Sequence, residues 1–72
     1  MLGIQGNNDY LFAGREDKVI IVLNHQIEVL KVLQGHSNSV NILSLNQNTL
    51  YSADLDFNII EWSLEKIKLN IN

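Results

Sequence analysis

Apolar and polar residues fall in short blocks along this chain, and the block lengths are those of strands. Val19-Ile20-Ile21-Val22-Leu23 is a continuous apolar run rich in β-branched residues, the pattern of a strand covered on both faces. Ile67, Leu69 and Ile71 alternate with Lys66, Lys68 and Asn70, which is the period of a half-covered strand. Val40 to Leu45 alternates and then mixes. Turn residues separate the runs at Gly6 to Asp9, Gly14 to Asp17, Asn24-His25, Gly35 to Asn38 and Asn46 to Asn48; Asn and Asp bond nearby backbone and tolerate left-handed conformations. Ile27 to Leu33 fits two patterns. A helix would put Ile27, Leu30 and Leu33 inward and no proline stops it, but the shortness of the run and its β-branched residues favour a strand. Eight strands are predicted: Leu2–Gln5, Tyr10–Ala13, Val19–Leu23, Glu28–Leu33, Val40–Leu45, Thr49–Ser52, Asn58–Trp62 and Ile67–Ile71. The expected fold is all-β, two consecutive four-stranded antiparallel meanders.

The two halves repeat. With a shift of 39 residues, Leu11 falls on Leu50, Asp17 on Asp56 and Ile20-Ile21 on Ile59-Ile60. Phe12 meets Tyr51, Gly14 meets Ala53 and Leu23 meets Trp62. Repeats of this period signal units that cannot cover their apolar faces alone and stack on neighbours to do so.

Composition narrows the classes. The 72 residues are 46% hydrophobic and 18% charged, too apolar for disorder, yet short for an independent core. No cysteine is present, so disulfides and thiolate metal sites are excluded. The net charge is −3 and the five cations are scattered, so neither nucleic acid nor an anionic membrane is the expected partner. No apolar run approaches membrane-span length, and the N-terminus lacks signal-peptide character. An intracellular location, cytoplasmic or nuclear, is expected.

One spaced set stands out: Gly35-His36, then Ser52, Asp56 and Trp62. Its order resembles one repeat of the WD-repeat β-propeller family. The resemblance implies that residues 1–34 form a degenerate first blade and residues 35–72 a second blade carrying the signature. It implies a structural tetrad of His36, Ser52, Asp56 and Trp62 joined by hydrogen bonds, with Gly35 and Asp17 as structural turn residues. The chemistry of these groups permits such a chain: indole N–H donates, hydroxyl and neutral imidazole do both, and carboxylate accepts. Trp62-Ser63 replaces the family's Trp-Asp pair. The first repeat departs further, with Ala13 for the hydroxyl and Leu23 for the tryptophan. Two blades do not close a ring, so the expectation is a piece of a longer propeller, an assembly of copies, or pairing with another chain.

The resemblance also implies a function: a scaffold module that binds a protein or peptide, without cofactor or metal. The implied partner-binding residues are Ser37, Asn38, Ser39, Asp54, Leu55 and Phe57 in the second repeat, with Arg15, Glu16 and Lys18 in the first. The alternative is a truncated or self-assembling structural fragment. Ser52, His36 and Asp56 have the composition of a catalytic triad, but Ser52 sits in Leu-Tyr-Ser-Ala-Asp, without the Gly-x-Ser-x-Gly elbow or an evident oxyanion hole. Asp54, Asp56 and Asn58 lack the glycine and distal glutamate of a calcium loop, and two histidines with scattered carboxylates make no zinc site.

Overall fold

The computed structural model describes residues 3–71. They form seven strands and one helix: β1 Gly3–Gly6, β2 Leu11–Gly14, β3 Val19–Leu23, β4 Val29–Gln34, β5 Val40–Asn46, β6 Thr49–Asp54, β7 Ile59–Ser63 and α1 Leu64–Ile71. The order within the sheets follows the chain, β1-β2-β3-β4 in sheet one and β5-β6-β7 in sheet two, with every pairing antiparallel. The fold is all-β apart from one short helix. The ambiguous segment after Ile27 is a strand, β4, paired along β3. Leu2, placed in the first strand by its sequence, lies outside the described residues, as do Met1 and Asn72.

Three hairpins share one turn geometry. The loops 16–18, 25–27 and 55–57 are each bracketed by a backbone pair: Arg15 N to Val19 O (3.0 Å), Asn24 N to Glu28 O (3.1 Å) and Asp54 N to Asn58 O (3.1 Å). Each ends in a left-handed residue, Lys18 at φ 75°, Ile27 at 64° and Phe57 at 64°, as three-residue hairpin loops require. None of the three is glycine, so each loop carries backbone strain that the flanking ladder holds in place.

The sheets pack face to face on one core. Phe12, Ile20, Val22 and Leu33 from sheet one meet Val40, Leu43 and Leu50 from sheet two, with Ile67 of α1 closing the cluster. Phe12, Ile20, Val22, Val40 and Leu50 are fully buried, and burying a side chain of this size contributes ~1.5–3 kcal/mol. The Cα radius of gyration is 11.0 Å, near the ~11 Å expected of a packed body of this length. The two repeats are therefore not independent domains, because each supplies half of a shared core.

The predicted eighth strand, Ile67–Ile71, is a helix. Two patterns overlap in that segment. Ile67, Leu69 and Ile71 alternate, but Leu64, Ile67 and Ile71 lie on one helical stripe, and it is this stripe that packs on the core. Leu69 is left 70% exposed. The ends support the helix: the Ser63 hydroxyl accepts from Lys66 N (3.3 Å), an N-cap bond, and Glu65 and Lys68 suit the helix dipole at its two ends. Sheet two consequently stops at three strands.

Close approach of the sheets depends on Gly14. A Cβ there would lie 2.8 Å from the Val40 carbonyl oxygen and 2.9 Å from Val40 Cγ1, while Val40 N itself donates to Arg15 O at 3.0 Å. Gly14→Ala must push β5 away from β2, and overpacking of this kind costs ~1–3 kcal/mol. Urea denaturation should show that loss as a lower midpoint at unchanged slope.

Candidate functional site

Trp62 from β7, Ser52 from β6 and His36 from the β4–β5 loop meet on the inner face of sheet two. Trp62 Nε1 donates to Ser52 Oγ at 2.7 Å. Ser52 Oγ lies 2.6 Å from His36 Nε2, and His36 Nδ1 lies 2.9 Å from Asp54 Oδ2. Indole only donates and carboxylate only accepts, so Trp62 gives a proton to Ser52 Oγ and His36 Nδ1 gives one to Asp54; in the neutral imidazole Nε2 accepts from the serine hydroxyl. Ser52 is 1% exposed, Asp54 2% and His36 8%. A closed chain is what makes such burial tolerable, because each orphaned group would cost ~1–3 kcal/mol.

The acid of this chain is Asp54, not Asp56 as the repeat pattern had implied, and Asp54 is buried rather than offered to a partner. Asp54 opens the hairpin turn. Its Oδ1 accepts from Asp56 N (2.9 Å) and Asn58 N (3.1 Å), and its Oδ2 accepts from Asn58 Nδ2 (3.2 Å) besides His36. Asp56 sits exposed in the turn and contributes only its backbone N–H. The family resemblance, which puts an Asp in the turn after the second strand, had drawn attention to the wrong carboxylate. The usable signal was Asx-turn position: Asn24 opens its own turn in the same way, its Oδ1 accepting from Gln26 N and Glu28 N, both at 3.0 Å. The repeat counterpart of Asp54 is Arg15, whose guanidinium forms an exposed pair with Asp17 at 3.1 Å; pairs of this kind contribute little.

Burial pushes the Asp54 carboxyl upward. The hydrogen bond from His36, with those from Asn58 and Asp56, outweighs that and holds it at about 2, below the ordinary 3.8. Gly35 serves by close approach rather than by left-handed backbone: a Cβ there would lie 3.2 Å from Ile60 Cδ1 and 3.3 Å from Trp62 Cη2, so the loop lies directly against the tryptophan.

The remaining candidates gather at one end of the body, where three loops are stitched together. Leu55 N donates to Ser39 O at 3.1 Å, Ser39 Oγ donates to Glu16 O at 3.0 Å and Asn58 Nδ2 donates to Ser37 Oγ at 3.2 Å. Asn38 Oδ1 accepts from Ser39 N at 2.7 Å. Ser39 and Asn38 thus work partly as internal fasteners. Arg15, Glu16, Lys18 and Ser37 are exposed. Leu55 is 53% exposed and Phe57 90%. His25, at another turn, is exposed and its Nε2 donates to Asn7 O at 2.8 Å. Among the described residues no three potential metal ligands come together, and no helix is long and apolar enough to cross a membrane.

No family model and no curated protein matches this chain.

Two outcomes follow from the hydrogen-bond chain. Ser52→Ala leaves Trp62 N–H and His36 Nε2 without a partner, and stability should fall by ~1–3 kcal/mol; Asp54→Ala should lower the denaturation midpoint while Asp56→Ala leaves it near wild type. Acid should act through the same group. The folded carboxyl titrates below the unfolded one, so its stabilisation is fully present above about pH 4 and is lost as pH falls toward 2. Circular dichroism melts across that window should show a fall that Asp54→Asn flattens.

Proposed function

We propose that this chain is a non-catalytic interaction module of the WD-repeat blade kind, which binds a protein or peptide partner through the stitched loop end and needs no cofactor. The observation that carries the reading is Phe57. It is a large aromatic, 90% exposed, held at positive φ in a turn whose backbone is locked by Asp54. Asp54 is in turn anchored to His36 inside the body. A rigid exposed aromatic gives contact area at low entropic cost, which is the character of binding hot spots. Leu55 and the charged 15–18 turn lie beside it across the Ser39 bonds, forming an apolar centre with a polar rim.

The Ser52–His36–Asp54 arrangement has the hydrogen-bond order of a hydrolase triad. Against a catalytic role, the Ser52 hydroxyl is 1% exposed and accepts from Trp62, which leaves no approach for a substrate carbonyl. The order Gly35-His36, Ser52, Trp62 and the two stacked sheets support the blade reading.

Selection of a displayed peptide library on the folded chain tests the reading. Binders should lose about tenfold or more in affinity with Phe57→Ser, and less with Leu55→Ser, because a central aromatic is worth ~2 kcal/mol or more. Thermal melts of both variants should stay close to wild type. Affinity unchanged by Phe57→Ser, or lost only in step with stability, would sink it.

A further inference from the structure

The two sheets stack in the same sense rather than as mirror partners, and that leaves one free face of each kind. In sheet one, Phe12, Gly14, Ile20 and Val22 share the face buried in the core, and the cross-strand row Ile4–Ala13–Ile21–Val32 lies on the other. In sheet two the buried face carries Leu43, Ser52 and Ile60 in register, and the row Ile42–Ala53–Ile59 faces outward. The shift of 39 residues maps Ile4, Ala13 and Ile21 onto Leu43, Ser52 and Ile60. The outward row of sheet one is therefore the counterpart of the face that sheet two buries. The same shift maps Phe12, Gly14 and Ile20 onto Tyr51, Ala53 and Ile59, so the outward face of sheet two is the counterpart of the face that sheet one buries.

We infer that the two outward faces are complementary to each other, and that a second copy of this chain stacks head to tail, its Ile4–Ala13–Ile21–Val32 row on the Ile42–Ala53–Ile59 row of the first. The interface inside the chain is the template for this contact. At two pairs the exposures differ in this way: Ile20 is fully buried where its counterpart Ile59 is 72% exposed, and Leu43 is 7% exposed where Ile4 is 54%, while the small Ala13 is as covered as Ser52, both at 1%. Unlike faces make the contact heterologous, so association continues beyond a dimer until the copies close a ring or extend as a filament. The equivalence fails at three positions on these rows and at one element. Ile42 stands at the counterpart of Gly3, where a Cβ would lie 3.3 Å from the Asn41 carbonyl oxygen, and Ala53 at the counterpart of Gly14, where a Cβ would lie 2.8 Å from the Val40 carbonyl oxygen; Glu61 replaces Val22, and α1 follows β7 where sheet one has β4. The second copy accordingly stands farther off at that edge than the two sheets within one chain. This inference is independent of partner binding at the Phe57 loop end.

The polarity gives a test that like-to-like pairing cannot mimic. Light scattering after size exclusion should show the wild-type chain as a mass above monomer that rises with concentration or stops at a ring. Ile4→Lys blocks one face and Ile59→Lys the other, both at exposed positions, and each variant alone should run as a monomer. Mixed in equal amounts they should form a one-to-one dimer, since each retains the face the other lacks. Val32→Lys with Ile42→Lys is the second pair should either first variant fail to give the wild-type circular dichroism spectrum. A wild-type chain that stays monomeric throughout would overturn the proposal and give these faces to another occupant, such as further repeats. Association that survives either single substitution would mean two-fold or edge-strand pairing, and a mixture that remains monomeric would equally overturn it.

Discussion

Burying a serine, a histidine and a carboxylate in so small a body is the constraint on which the rest of this structure depends. Each group is costly in an apolar setting unless both its donor and acceptor sides are met. Trp62 at one end and Asp54 at the other meet them, because one can only give a proton and the other only take one. The chain joins β7, β6, the β4–β5 loop and the 55–57 turn. Loop position, hairpin conformation and sheet pairing are thereby coupled, so the exposed Phe57 turn inherits rigidity from groups that never reach the surface.

The first repeat shows what the same backbone does without that chain. Ala13 and Leu23 stand in the places of Ser52 and Trp62, and both are buried. Arg15 stands in the place of Asp54 and faces solvent. This sheet relies on apolar packing and on a full fourth strand. The second sheet lacks that strand and has the polar network instead. Two solutions to the same stacking problem thus sit side by side in one chain, each offsetting what the other lacks.

Stacking in one sense also explains why so much apolar surface stays uncovered. A pair of sheets related by two-fold symmetry would bury like faces and leave like faces outside. Here the buried pair is unlike, so the outside pair is unlike too. The isoleucines on both outer rows, with Val32 on one of them, are then consistent with the repeat and are not defects of it. The approach of the sheets near β1 and β5 is set by small residues, Gly3 and Gly14, on one side only.

Much of this was legible in the sequence. Seven strands and their antiparallel order could be read from short apolar blocks, Asn- and Asp-rich turns and the shift of 39 residues, because strand period and turn chemistry are local properties; the linking of Trp62, Ser52 and His36 was implied by the resemblance to the WD-repeat signature. Two features were not local. Ile67, Leu69 and Ile71 obey strand period and, with Leu64, helix period, and only the core beneath sheet two, which accepts Leu64, Ile67 and Ile71 as one stripe, decides for the helix. Asp54 and Asp56 are chemically the same and two residues apart. Only the β6 alternation that turns Asp54 inward with Ser52, toward an imidazole delivered from 18 residues earlier in the chain, chooses between them. Residue spacing established which groups could bond, and the fold of one strand against a distant loop established which one does.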